Sequence, residues 1–343
     1  MSVLRAQRTT RRKSGPSGGR LLLRRLSLLL LVAVVAYFVA VITYGLLRGT
    51  SDSHKDGFSQ EQSEAQLPVD PPKVDQYRSL TEEVAPLGKE LTARVAQDAL
   101  TYSRGESVRS IARRLSRSGA KVAPGVIRDG YVPGSRSWAK VIYPQMSGYT
   151  GDTMGAMVVV RQTTENQAGE RSNQTRVIDV RLQLENGTWQ LSELASVGGT
   201  PTESPPGLPA ISQRVLDDPA IDLPDSARWD IYRGEISENL LKALADAAKS
   251  NPIRVAVLKT GHPPTVWGTS NPSAHSEGLA ADIWSVAGQP VVEQRQTGSA
   301  AFDTAGALVL GGALQVGSPW TFTSDGFSTF TDDVHQDHIH VQP

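Results

Sequence analysis

Hydrophobic and polar positions divide this chain into stretches of different period. From Leu26 to Leu47 the residues are uncharged and almost wholly apolar, bounded by Arg25 and Arg48. A run of about 22 such residues is long enough to cross bilayer hydrocarbon as a helix. No small-x-small cleavage site closes it, so a retained transmembrane helix is expected over 26–47 rather than a signal peptide. The stretch 48–74 is rich in Ser, Gln, Asp and Pro and reads as a spacer.

Beyond residue 75 the period becomes helical. Leu87, Leu91, Val95, Ala99 and Tyr102 recur near the helical spacing, and Val108, Ile111, Ala112 and Leu115 do so again before Gly119. Strand-like runs follow at Val141 to Tyr143 and Ala156 to Arg161. Then Ile178, Val180, Leu182 and Leu184 alternate up to Asn186-Gly187, and Trp189 and Leu191 resume the pattern. The Asn-Gly pair suits a two-residue hairpin turn. Residues 75–199 therefore predict an α+β domain.

A Gly-, Pro- and Ser-rich linker is expected over 200–212. In 213–343, Ile236, Leu240, Leu241, Leu244 and Ala248 form one apolar helix face with Ser237 placed to cap it. Strands are predicted at Ile253 to Leu258, Ala280 to Trp284 and His338 to Val341, with a small-residue helix from Ala300 to Leu314. This too is an α+β domain.

Composition changes the picture in two ways. The net charge of the 343 residues is zero, yet residues 1–25 hold eight of the 35 Lys and Arg and no acid, leaving 27 basic against 35 acidic residues. A basic tail before an apolar run is expected to stay cytoplasmic, with everything after residue 50 outside. The mildly acidic remainder argues against nucleic acid as a partner. There is also no cysteine, which excludes a thiolate-rich structural metal site.

Five of the six histidines, His262, His275, His335, His338 and His340, fall in the last quarter of the chain. His275, Asp282 and His340 offer two imidazoles and a carboxylate, the ligand set of a zinc ion that keeps a position open. On a strand, residues 338 and 340 share a face and can reach one ion's surroundings. His335 has no role in this reading.

Ser273-x-His275-x-x-Gly278-x-Ala280-x-Asp282, followed by His338-x-His340, resembles the zinc signature of the D-alanyl-D-alanine carboxypeptidase and lysostaphin-type metallopeptidases, whose fold also occurs in hedgehog signalling domains. The resemblance covers roughly Asp217 to Pro343. It implies a hedgehog/DD-peptidase-like fold, one zinc ion on His275, Asp282 and His340, His338 as a catalytic or transition-state-stabilising residue, and Asp337 as its orienter or partner in general-base work. Ser273, His262, Trp267 and Trp284 are the candidate substrate-binding residues. Family members often carry an arginine in a turn ahead of the motif, and here Gly261-His262 stands in that place. Gly278 is expected to permit close backbone passage near the ion. The element order of 75–199 resembles the cone-shaped nuclear transport factor 2-like fold of many membrane-anchored actinobacterial proteins and implies a spacer or a module for protein partners.

Together these readings predict a single-pass membrane protein whose external part is a zinc peptidase acting on peptidoglycan stem peptides, as a D,D-carboxypeptidase or endopeptidase. The alternative is a non-catalytic peptidoglycan- or protein-binding scaffold that retains the peptidase fold.

Overall fold

Local sequence rules account for most of the elements in the computed structural model, which describes residues 69–323 and 328–343. Helix α1 (Pro86–Ala99) starts on a proline, whose missing N–H costs nothing in the first turn. It buries Leu91, Val95 and Ala99, but leaves Leu87 exposed. In α2 (Val108–Leu115) the Ser107 side chain caps the helix by accepting from Ser110 N. After the short α3 (Pro124–Ile127) come four long strands, β1 (Arg136–Tyr149), β2 (Thr153–Glu165), β3 (Arg171–Glu185) and β4 (Thr188–Ser196). They form an antiparallel meander in chain order. Asn186 and Gly187, both at positive φ (50° and 76°), make the β3–β4 turn. The helices close a core over one face of this sheet, built from residues such as Ile111, Met154, Val158 and Ile178.

Strand β1 runs well beyond the three residues that alternation predicts. Register shifts between Val141 and Tyr143 and between Met146 and Gly148 break its period. Such bulges re-aim side chains, and here they bring Gln145 and Ser147 toward the second half of the chain.

The second half contains α4 (Ala210–Asp217), β5 (Ile221–Asp222), α5 (Asp225–Tyr232), α6 (Glu238–Ala247), β6 (Ile253–Val257), β7 (Ala281–Val286) and β8 (Gln289–Pro290). It continues with α7 (Ala300–Leu310), β9 (Gln315–Gly317), β10 (Ser328–Phe330) and β11 (Ile339–Gln342). Ser237 caps α6 by accepting from Leu240 N. The sheet order is β10-β9-β11-β7-β6-β5, with β8 on β7. Leu240, Leu244, Ile283, Leu308 and Val341 belong to the core under its helices.

The described residues fall in one compact unit. Tyr143 and Val159 of the first sheet meet Ala256 and Trp284 of the second in one apolar cluster, and Met157, Val177 and Val257 make another. The residues leading into the expected linker are anchored. The buried Arg176 guanidinium donates to Val197 O (3.1 Å) and Gly199 O (2.9 Å), and Ser226 Oγ donates to Gly198 O at 2.7 Å. Helix α4 begins inside the stretch.

The membrane expectation needs correcting. Among the described residues no helix is long and apolar enough to cross a membrane. The longest, α1, has 14 residues, about 21 Å of rise against about 30 Å of hydrocarbon. Among the described residues the fold is α+β and contains no transmembrane helix, so the single-pass membrane placement read from the sequence is not carried forward. The segments 1–25 and 26–47, and most of the 48–74 spacer, lie outside the described residues.

Candidate functional site

The site forms where two short strands and a turn bring polar side chains onto one face. In the β7–β11 pair His340 stands directly opposite Asp282, so both side chains leave the same side of the sheet within contact range. His275 comes from a 3-10 turn over Ala274–Glu277 that Gly278 ends in the left-handed region, at φ 71°. A Cβ on Gly278 would lie 1.9 Å from Glu235 O. The close passage that requires glycine is thus against the Glu235–Ile236 backbone, and Ser237 N donates to Gly278 O at 3.0 Å.

Three donor atoms converge here. His275 Nε2 lies 3.2 Å from Asp282 Oδ1 and 3.2 Å from His340 Nδ1, and His340 Nδ1 lies 3.0 Å from Asp282 Oδ1. Ligands about 2.0–2.1 Å from a tetrahedral ion stand about 3.3 Å apart, so the triangle fits such an ion closely. His262, His275 and Asp282 also form a group that could hold a metal ion, their ligand atoms all within 4.8 Å of one another. The two groupings share His275 and Asp282. The shorter edges favour His340 as third ligand and leave His262 as a looser neighbour, its ring stacked on that of His275 at 4.0 Å.

Protonation suits a cation. Burial, helped by His275, pushes the His262 pKa down to about 3, and burial pulls that of His340 down to about 4. Asp282 would be raised by burial, but His275 and His338 outweigh this and hold it well below the usual carboxylate range. His262 and His340 are therefore neutral imidazoles and Asp282 an ionised carboxylate, the forms that ligate. Two of the donor groups are also fixed from behind: His275 Nδ1 donates to Leu258 O at 2.7 Å, and Asp282 Oδ2 accepts from Gln145 Nε2 at 2.6 Å.

Beside this set stands a dyad. His338 Nδ1 is 2.6 Å from Asp337 Oδ1, and His338 Nε2 is 3.8 Å from Asp282 Oδ1. Burial lowers the His338 pKa, but Asp282 and Asp337 together outweigh it and raise the pKa above the ordinary value. Asp337 Oδ2 accepts from Met146 N at 2.9 Å and is paired with the Lys89 ammonium. Burial raises the Asp337 pKa, and Lys89 and His338 bring it below the ordinary value.

His275, Asp282, His338 and His340 line a cleft of about 600 Å³ whose walls come from both halves of the chain, Ser147–Thr150 on one side and the histidines on the other. Ser273, 4 % exposed, holds its loop: its N donates to Pro264 O at 3.0 Å, its carbonyl accepts from Ser276 Oγ at 2.6 Å, and its Oγ lies 3.3 Å from His262 Nδ1. Trp267 lines the cleft and donates from Nε1 to Thr153 Oγ1 at 3.1 Å. Its indole occupies the space over Gly148 and Gly155, where a Cβ would approach it to 2.1 and 2.7 Å. Trp284 lies elsewhere, stacked on Tyr143 at 4.9 Å where the two sheets meet. His335, without a role in the sequence reading, packs 4.9 Å from His338 and lines the cleft.

The depressed imidazoles set an acid limit. A group with a lowered folded pKa contributes stability that is present above its unfolded pKa and is lost as pH falls toward the folded value. His262 and His340 act in this sense, while the raised His338 opposes them with stability that is full at low pH and lost as pH rises. With two groups against one, the melting temperature of the metal-free protein should fall from about pH 7 to about pH 4.5. His340→Asn should flatten that fall. A wild-type profile that stays level would contradict the assignment.

Comparison of the chain with known protein families, with curated proteins and with solved structures finds no match.

Proposed function

We propose that the cleft hydrolyses amide bonds in peptidoglycan stem peptides, with one zinc ion on His275, Asp282 and His340. The observation that carries this reading is the convergence of three ligating atoms, with edges of 3.0–3.2 Å, next to a buried Asp337–His338 dyad. The Ser273-to-Asp282 motif supports the substrate class. When bound, zinc supplies Lewis-acid activation of water and of the scissile carbonyl.

The remaining work falls to the chain. His338 Nε2 faces the ligand set and is placed to move a proton to or from a reacting group beside it. As an imidazolium it also stabilises negative charge developing there. Asp337 spends both oxygens on His338, Met146 N and Lys89, which suits it to orient the ring rather than to act as a base itself. His262, Ser273, Trp267 and His335 stand around the cleft as candidate substrate contacts, whereas Trp284, at the junction of the sheets, is a packing residue.

A muropeptide digestion with zinc-loaded protein tests the reading. Wild type should release cleaved stem peptides, and His338→Ala should be about 10²–10⁴-fold slower while still binding zinc. A zinc-loaded wild type that cleaves none of the stem peptides would overturn hydrolysis and leave a binding scaffold on the same fold.

A further inference from the structure

Two buried polar side chains of the first half reach into the site of the second. Gln145 in β1 is fully buried, and its Nε2 holds Asp282 Oδ2 at 2.6 Å, so that Oδ1 faces His275 and His340. Among the described residues Gln145 Oε1, which is also buried, has no hydrogen-bond partner. A side chain kept only for packing would not leave a desolvated acceptor orphaned. The cost is explained if the donor end is required at the carboxylate, because the flipped amide would set oxygen against oxygen.

Lys89 in α1, also fully buried, places its ammonium between Glu83 and Asp337, with Tyr143 Oη at 3.5 Å. Together with Met146 N it occupies Asp337 Oδ2 and leaves Oδ1 for His338. One half of the chain thus settles which oxygen each carboxylate presents in the other half.

We infer that Gln145 and Lys89 are positioning residues, Gln145 for the metal-binding carboxylate and Lys89 for the Asp337–His338 dyad, so that the centre is complete only when both halves are docked. This rests on the zinc peptidase reading above and adds residues that no part of the zinc motif contains.

The test uses the full chain with Zn²⁺ and Co²⁺ as probes. Gln145→Glu keeps the volume but removes the donor, and Gln145→Ala removes the side chain. Both should bind zinc about 10–100-fold more weakly and change the visible spectrum of the cobalt-loaded protein, with the far-ultraviolet circular dichroism of the metal-free protein unchanged. Lys89→Met combined with Glu83→Gln removes one positive and one negative charge together. This pair should leave zinc affinity as in wild type but lower kcat about 10–100-fold at constant KM, and should shift and broaden the His338 Nδ1–H proton resonance.

Wild-type zinc affinity in both Gln145 variants would overturn the role of Gln145. Wild-type turnover with an unmoved His338 resonance in the double variant would overturn that of Lys89. If wild type itself hydrolyses nothing, the peptidase reading falls, while the affinity and resonance measurements still decide this inference without substrate.

Discussion

Replacing Lys89 by Met alone is expected to destabilise the chain by about 3–5 kcal/mol. The ammonium and its partners Glu83 and Asp337 are 0–4 % exposed at their side chains. Removing the cation leaves two buried carboxylates facing each other, and the loss is dominated by the unpaired charge rather than by missing contacts. Urea unfolding should show the midpoint falling steeply for Lys89→Met and much less for the double variant with Glu83→Gln, which removes the surplus charge. Equal losses in the two variants would refute this account, because the difference between them isolates the charge.

The second large effect is linkage to the metal. Zinc at about 1,000 times its dissociation constant should raise the unfolding free energy of wild type by about 4 kcal/mol. The same addition should do nothing for His275→Ala, because His275 Nε2 is one corner of the ligand triangle. A chelator should reverse the gain in wild type alone. Calorimetric melts of the two proteins with zinc and with chelator make the comparison. A zinc-dependent rise in the variant as large as in wild type would mean that the ion binds elsewhere.

The residues of the candidate metal site were legible in the sequence because residue types and short spacings carry the signal, even though His340 and Asp282 meet only through a pairing across 58 residues. His275 and Asp282 are separated by one turn and a strand start, and in the short β11, where Ile339 and Val341 alternate with His340 and Gln342, pairing sets His340 against Asp282. Helix α6 with its Ser237 cap and the Asn186-Gly187 hairpin were readable for the same reason. Gln145 was not, because it lies in a strand whose bulges erase the alternation and because its partner is on another sheet. Lys89 did leave a signal: it lies two residues before Leu91 and four before Ala93 on a helix where all three are buried, a place where an unpaired cation would be costly. Its partner in the site, Asp337, could not be inferred from that spacing. Trp284, a candidate for the cleft in the sequence, instead packs against Tyr143 where the two sheets meet, because its indole is stacked there at 4.9 Å. His335 has no role in the sequence reading, yet its ring packs against His338 and is held by Asp332 at 2.6 Å.

The ties across the two halves also bear on the order of folding. Gln145 and Asp282 are 137 residues apart in the chain, Met146 and Asp337 are 191 apart, and Lys89 and Asp337 are 248 apart. Contacts of such sequence separation close large loops and are made late, after the hairpins and capped helices that need only neighbours. The meander of β1 to β4 can form early, whereas the arrangement of Asp282 and Asp337 waits for the final docking of the sheets. Metal uptake during refolding would accordingly lag behind the recovery of secondary structure and mark the last step of assembly.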